Sequence, residues 1–240
     1  LVIMERLKIT IIGGSASNNF GNPPDSLGWP ELLAKNLTQS ADLTHVSRGG
    51  LTFVRGMNEI AEIDSNDLLI MHFGTSIGWP ISLVKTGTAM GIDFASDHGF
   101  NQPTGTSTNR TRRVKNYFKR SFRNSVKYLL FFTGQYKPRA SRRELNDQIE
   151  AVVHLAQHKT DRLIWIQHRA FLNHRIWLEK WVYERYYAEI MKALHNFESK
   201  GLSILEIPDE FMVAENYLFD CVHLSSKGHE RLEKLVREAI

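Results

Sequence analysis

The chain has 240 residues and a mass of 27.6 kDa, enough for one α/β domain with a well-buried core. Hydrophobic residues make up 42% and charged residues 23%, with 7 Pro and 16 Gly, which argues against wholesale disorder, a collagen-like repeat and a coiled-coil rod. A single cysteine, Cys221, excludes an internal disulfide and a cysteine-rich zinc site. No apolar run approaches the roughly 20 residues needed to span a bilayer. The opening LVIMERLKITII carries Glu5, Arg6 and Lys8 and reads as a first strand rather than a secretion signal, so the expected location is cytoplasmic.

In chain order, five short apolar runs read as buried parallel strands: Leu7–Ile12, Leu43–Ser47, Asp67–Phe73, Arg162–Ile166 and Leu202–Ile207. Helical patterns lie between and after them, over Ser26–Leu37, Arg55–Ile63, Ser141–His158, Arg175–Lys200 and Ser225–Ile240. Ser141 and Glu144 form an S-x-x-E capping pattern, and Gly201 marks the stop of the long aromatic-rich helix. The alternation βαβαβ…αβαβα predicts a doubly wound parallel sheet in a single domain over residues 1–240. About ninety residues separate the third and fourth strands, far more than a crossover needs. This insertion, about 85–143, begins as an irregular segment over Lys85–Gly105 and continues into a basic helix.

The net charge of +4 hides an asymmetry. From His98 to Arg143 there is no acidic residue, yet there are twelve basic ones, clustered over Arg110–Arg143; removing them from the 30 leaves 18 basic against 26 acidic residues elsewhere. Within it, Phe118, Phe122, Val126, Leu129 and Leu130 recur at helical spacing, which reads as an amphipathic helix with a solvated basic face. The alternative reading is a surface for an anionic partner, drawn in over roughly a Debye length of 8–10 Å. Interleaved aromatics such as Tyr117 and Phe132 are weak grounds for base stacking, so nucleic acid is not the expected partner.

Ligands of an open parallel sheet bind where the strands end at their carboxyl side, so the residues just after each strand carry the functional reading. They are Gly13-Gly14-Ser15-Ala16-Ser17, Ser47-Arg48-Gly49-Gly50, Gly74-Thr75-Ser76-Ile77 and, before the last helix, Asp220-Cys221-Val222-His223-Leu224. A hydroxyl after the first strand and an Asp-x-x-His near the end supply a nucleophile (Ser15), a base (His223) and an orienting carboxylate (Asp220). The backbone N–H groups of Ser15 and Gly50 are the candidate oxyanion donors.

On these residues the chain resembles the SGNH, or GDSL-type, hydrolase superfamily of esterases and acyl hydrolases. The matching blocks are IIGGSAS with GWPELLAKNL, SRGGLT, LLIMHFGTS and FDCVHLSSKGHERL, the last being the most specific. The resemblance implies a flavodoxin-like three-layer α/β/α sandwich with strand order 2-1-3-4-5. It also implies a triad of Ser15, Asp220 and His223, with Gly50 in the oxyanion hole. Two departures stand out: Gly14 replaces the aspartate of Gly-Asp-Ser-Leu, and Ser76 stands where the third block has its oxyanion asparagine. Losing one such donor costs on the order of 10²–10³ in turnover.

Several of the remaining candidates carry two readings. Arg48 is either an anion contact or a surface ion pair; Thr75 is a substrate contact by position; His168 either lines the pocket or is an ordinary loop histidine. His72 reads as core, His229 as packing or capping, and Cys221 as a small buried filler. Trp177, Trp181, Tyr183, Tyr186 and Tyr187 are core, or in part a carbohydrate-stacking wall. The expected activity is a cofactor-free, metal-free serine esterase or O-deacylase working through an acyl-enzyme on a short ester, such as an O-acetylated carbohydrate. The alternatives are an O-acyltransferase on a saccharide and a catalytically weak protein that binds an acidic glycan.

Overall fold

β-branched and leucine-rich runs form the five strands: β1 (Leu7–Gly13), β2 (Ala41–Ser47), β3 (Leu68–Phe73), β4 (Leu163–Gln167) and β5 (Leu202–Leu205). They come from a computed structural model that describes residues 6–37, 41–74, 125, 128–129, 132–133, 140–171, 177–198, 201–218 and 222–240. The sheet is parallel throughout, in the order β2-β1-β3-β4-β5, as the resemblance implies. β3 and β4 are buried along their whole length, as two-sided cover requires. The edge strand β2 departs from the expected continuous burial: half-buried and exposed residues alternate over Ala41–Thr44 and the last three are half-buried, so one of its faces is covered less than the other.

Helices cover both faces. α1 (Trp29–Asn36) and α5 (Ser226–Ala239) pack together on one; α2 (Phe53–Glu62), α3 (Arg142–Gln157) and α4 (Trp177–His195) share the other. The period-2 alternation of the strands sorts the core accordingly. Leu69, Met71, Phe73, Leu163 and Trp165 meet Phe53, Ile149 and Leu194 on the α2–α3–α4 side. Ile9, Ile11, Leu68, Ile70, Ile164 and Ile166 meet Trp29, Leu33, Leu232 and Val236 on the α1–α5 side. By the same alternation, His72 and His168 fall on the α1–α5 side, two residues beyond Ile70 and Ile166 at the carboxyl edge.

The helix starts follow local chemistry. Ser141 caps α3 by accepting from Glu144 N–H, while the Glu144 carboxylate accepts from Ser141 N–H, closing the capping box. Thr52 caps α2 by accepting from Arg55 N–H, so that helix begins at Phe53, two residues before its expected start. α1 begins at Trp29 rather than at Ser26, with Pro30 in its first turn; Ser26 is held by the Asn19 side chain instead. The predicted basic insertion falls almost wholly outside the described residues. Of its twelve cations, Arg142 and Arg143 open α3, where Arg142 pairs with Glu189 at 2.6 Å and Arg143 faces Asp147 at 4.0 Å. Among the described residues no helix is long and apolar enough to cross a membrane.

Candidate active site

The parallel ladder continues one residue past β2, β1 and β4 before the chain diverges. Arg48 N–H donates to Gly13 O at 3.0 Å, Gly14 N–H to His72 O at 3.0 Å, and His168 N–H to Phe73 O at 2.9 Å. These bonds bring the loops after β1, β2, β3 and β4 to one edge, where Gly14 lies beside both Leu51 and Gly74. The first, second and third sequence blocks therefore meet at the carboxyl end of the sheet.

Ser15 opens a short 3-10 turn, Ser15–Ser17, directly after β1 and is half-buried. The peptide that joins it to Gly14 is held by its oxygen. Gly14 O accepts from Ser17 N–H at 3.0 Å, Ser17 Oγ at 2.7 Å and Ser47 Oγ at 3.4 Å. In a trans peptide the N–H points opposite to the C=O, so this clamp turns Ser15 N–H the other way. Neither that N–H nor Gly50 N–H donates to another protein group among the described residues. Gly50 sits at φ 64°, a left-handed conformation that a side chain would disfavour. Two backbone donors with no acceptor among the described residues, at the end of a parallel sheet, are of the kind an oxyanion site needs.

His223 arrives from the other end of the chain. A one-residue bridge pairs Tyr217 with Leu224, and Leu218 N–H donates to His223 O at 2.8 Å, closing a tight loop before α5. This loop is tied to the segment that follows Ser15. Asn22 Nδ2 donates to Leu224 O at 2.8 Å, Ser226 Oγ to Asn22 Oδ1 at 3.3 Å, and the Phe20 ring lies 4.6 Å from the His223 ring. No hydrogen bond joins Ser15 Oγ to the His223 ring in this structure, although their two loops are bound to each other; such contacts often tighten only with substrate. Asp220, Cys221, Thr75 and Ser76 lie outside the described residues, so the carboxylate and the altered third block stand as sequence expectations.

Three histidines of the edge are deeply buried, and their bonding is directional. Trp29 Nε1–H donates to His72 Nδ1 at 3.1 Å, His72 Nε2 meets His168 Nδ1 at 3.3 Å, and His168 Nε2 meets Val222 O at 2.7 Å. Burial, then the neighbouring His168, His229 and His45, hold His72 well below the ordinary histidine range. His229, one turn into α5, accepts from Trp29 N–H at 3.1 Å through Nδ1, which satisfies an orphan donor of α1. Burial lowers its pKa to about 4, against a hydrogen bond to the Asn18 backbone that favours the charged form. The capping role expected of His229 and the core role expected of His72 both match these contacts.

For two candidates the contacts favour one of the two readings. His168 is completely buried and engaged through both ring nitrogens, so it supports the Val222 carbonyl rather than lining a pocket. Arg48 takes the ion-pair reading, with Nε 2.8 Å from Glu59 Oε1 on the surface. Of the aromatic helix, Tyr183 OH donates to His168 O at 2.8 Å and Tyr186 OH to Ala140 O at 2.7 Å, both structural bonds, while Trp181 stays partly exposed. Sequence reading missed Ser47 and Trp29, which act through partners distant in the chain, and Ser17, which holds Gly14 O from three residues away. It also missed His45, which joins Ser17 Oγ (3.2 Å) to Glu31 (3.5 Å). That second Ser-His-acid set is not poised for chemistry, since Ser17 is fully buried and its proton is committed to Gly14 O. Among the described residues no three His, Cys, Asp or Glu side chains gather as a metal ligand set.

Neither a family model nor a curated protein matches the sequence. Solved structures do match over nearly the whole chain. A lipase/acylhydrolase from Enterococcus faecalis superposes with a TM-score of 0.57 at 13% identity, covering 98% of this chain and 95% of that one. A member of the lipolytic G-D-S-L family from Veillonella parvula gives 0.58 at 11%, covering 98% of each. An acetyl xylan esterase from Geobacillus stearothermophilus gives 0.56 at 11%, covering 97% and 93%. The chain has the fold of the SGNH/GDSL-type hydrolases.

Proposed function

We infer that the chain is a serine-dependent ester hydrolase that works through an acyl-enzyme on Ser15. The observation that carries this reading is the clamped Gly14–Ser15 peptide, whose oxygen is held by Ser17 and Ser47 while its N–H is left to an incoming oxyanion. In the reaction, Ser15 Oγ attacks the ester carbonyl as its proton passes to His223. The oxyanion that forms is held by Ser15 N–H and Gly50 N–H, with Ser76 in the position of the third donor. Collapse expels the alcohol, which takes the proton from His223. Water then attacks the acyl-enzyme as its proton passes to the same ring, and that proton returns to Ser15 Oγ as the acid is released. Asp220 is assigned to orient the imidazole. The substrate class is a short-chain ester, an O-acetylated carbohydrate being the favoured case; the likeness to an acetyl xylan esterase supports it.

A fluorophosphonate probe tests the reading. Wild type takes the label on Ser15, Ser15→Ala takes none, and aryl acetate turnover falls with it. An unlabelled wild type whose aryl acetate turnover equals that of buffer would remove Ser15 as nucleophile.

A further inference from the structure

The buried bonds that run from Trp29 to Val222 can point in only one direction. An indole nitrogen only donates and a carbonyl oxygen only accepts, so the two ends fix everything between them. His72 Nδ1 must accept from Trp29, which leaves its proton on Nε2; that proton goes to His168 Nδ1, which leaves the His168 proton on Nε2 for Val222 O. Both rings are therefore neutral Nε2–H tautomers, and a further proton on either would set two N–H groups against each other. The chain links α1, β3, the loop after β4 and the residue next to His223, across sequence separations of 43, 96 and 54 residues.

We propose that His168, held in its tautomer by His72 and Trp29, is a positioning residue for the base His223. The peptide that enters His223 is fixed at its oxygen by His168 (2.7 Å), and the peptide that leaves it is fixed at its oxygen by Leu218 N–H (2.8 Å). A backbone clamped on both sides leaves the imidazole little freedom besides its own χ angles, and the Phe20 ring lies against one face of it. His168 touches no substrate in this account; it acts through the Val222 carbonyl. The inference rests on the esterase reading for its catalytic consequence, but the tautomer pattern and the placement of the His223 ring stand apart from turnover.

Side-chain length separates the bonds. In His168→Gln the amide nitrogen falls where Nε2 was and keeps the bond to Val222 O. In His168→Asn the side chain ends near the Nδ1 position, keeping contact with His72 and losing Val222. His168→Leu loses both. The expected result for the folded variants, judged by thermal melting, is a kcat about 10- to 100-fold lower in Asn and Leu with KM unchanged, and mostly restored in Gln. Long-range proton–nitrogen spectra of histidine-labelled protein supply the readout that needs no activity. His72 and His168 should show Nε2–H from about pH 5.5 to about pH 8.5, and the His223 ring signals should move in Asn and Leu but not in Gln. An Nδ1–H signal from His168, unmoved His223 signals in the Leu variant, or equal turnover in Gln and Asn overturns the proposal. A wild type that resists the fluorophosphonate while the spectra behave as expected removes the esterase reading and leaves the positioning intact.

Discussion

Replacing Gly228 by alanine sets two physical terms against each other, and the structure decides the sign. Gly228 lies in the first turn of α5, where alanine is the better helix former by about 1 kcal/mol. Helix propensity alone therefore predicts a stabilised protein. A Cβ at this position, however, would lie 2.0 Å from Asn216 O and 2.9 Å from Asn216 C, both backbone atoms that no rotamer change can move. Real Cβ contacts essentially never fall under 3.0 Å, so helix and loop must separate by about 1 Å. Asn216 has little room to yield: it is fully buried, its Nδ2 donates to Phe211 O at 2.7 Å, and its carbonyl accepts from Ser225 N–H at 3.0 Å. Overpacking of this kind costs about 1–3 kcal/mol, and loss of the Ser225 bond adds about 1 kcal/mol.

The net expectation is a loss of about 1–3 kcal/mol, which for a chain of this size lowers Tm by roughly 3–10 °C. The displaced segment also carries the residues just after His223, so turnover of an aryl acetate should drop by up to about 100-fold for a shift near 1 Å. Thermal and urea unfolding measure the first quantity, and steady-state kinetics with probe labelling measure the second. A Gly228→Ala protein with equal or higher Tm and full turnover would show that the helix start is not set by this close approach, and the packing account of the closing Gly-His pair would fail.

Three further outcomes follow from the same edge of the sheet. His229 has its folded pKa lowered from 6.5 to about 4, so its contribution is complete above 6.5, falls as the pH drops below that value, and levels off near 4; the depression is worth roughly 3 kcal/mol. The buried His72 shifts in the same direction. Urea midpoints should therefore fall between pH 6.5 and pH 5, and His229→Asn should flatten that fall; a wild-type midpoint constant over this range contradicts the assignment. Ser17→Ala removes a hydroxyl from Gly14 O and strands the His45 ring nitrogen, so stability should fall by about 1–2 kcal/mol and kcat with it, measured by urea unfolding and aryl acetate kinetics. Arg48→Ala, which breaks only a surface pair with Glu59, should leave Tm and the KM for both neutral and anionic aryl esters unchanged; a raised KM for the anionic ester alone would restore Arg48 as a substrate contact.

Local signals were the legible ones. The capping pair Ser141 and Glu144 forms as its spacing predicts, because both partners lie within one turn. Strand positions followed from apolar runs, except that β5 ends at Leu205 instead of Ile207 and that β2 is only half covered. The first three blocks of the candidate site were legible because each follows a strand and the topology brings those strand ends together, whereas the fourth stands before the last helix. Side-chain roles were less so. Ser17 sits two residues after Ser15 in a hydroxyl-rich turn, and nothing in the sequence shows that it is buried and bonded to Gly14 O. His168 appears as a loop histidine beside the pocket, because nothing local announces that Val222 and His72 will meet its two nitrogens.

The sorting of residues by face explains why those long-range partners exist at all. Ile70 and Ile166 are apolar and end in the α1–α5 layer, where the next inward positions are His72 and His168. At the strand ends this layer meets the start of α1, whose first N–H groups need acceptors, and the loop before α5, whose carbonyls need donors. An apolar residue at position 168 or 229 would bury one of those groups unpaired, at about 1–3 kcal/mol each. Neutral imidazole, a donor and an acceptor in one ring, meets both needs: His229 accepts from Trp29 N–H, and His168 donates to Val222 O. One of the bonds that close the core at its carboxyl edge, His168 to Val222 O, thus also sets the backbone that enters the candidate base. Mutations there should change folding and turnover together, whereas Ser15→Ala, at a half-buried hydroxyl with no hydrogen bond of its own among the described residues, should abolish turnover with little change in Tm.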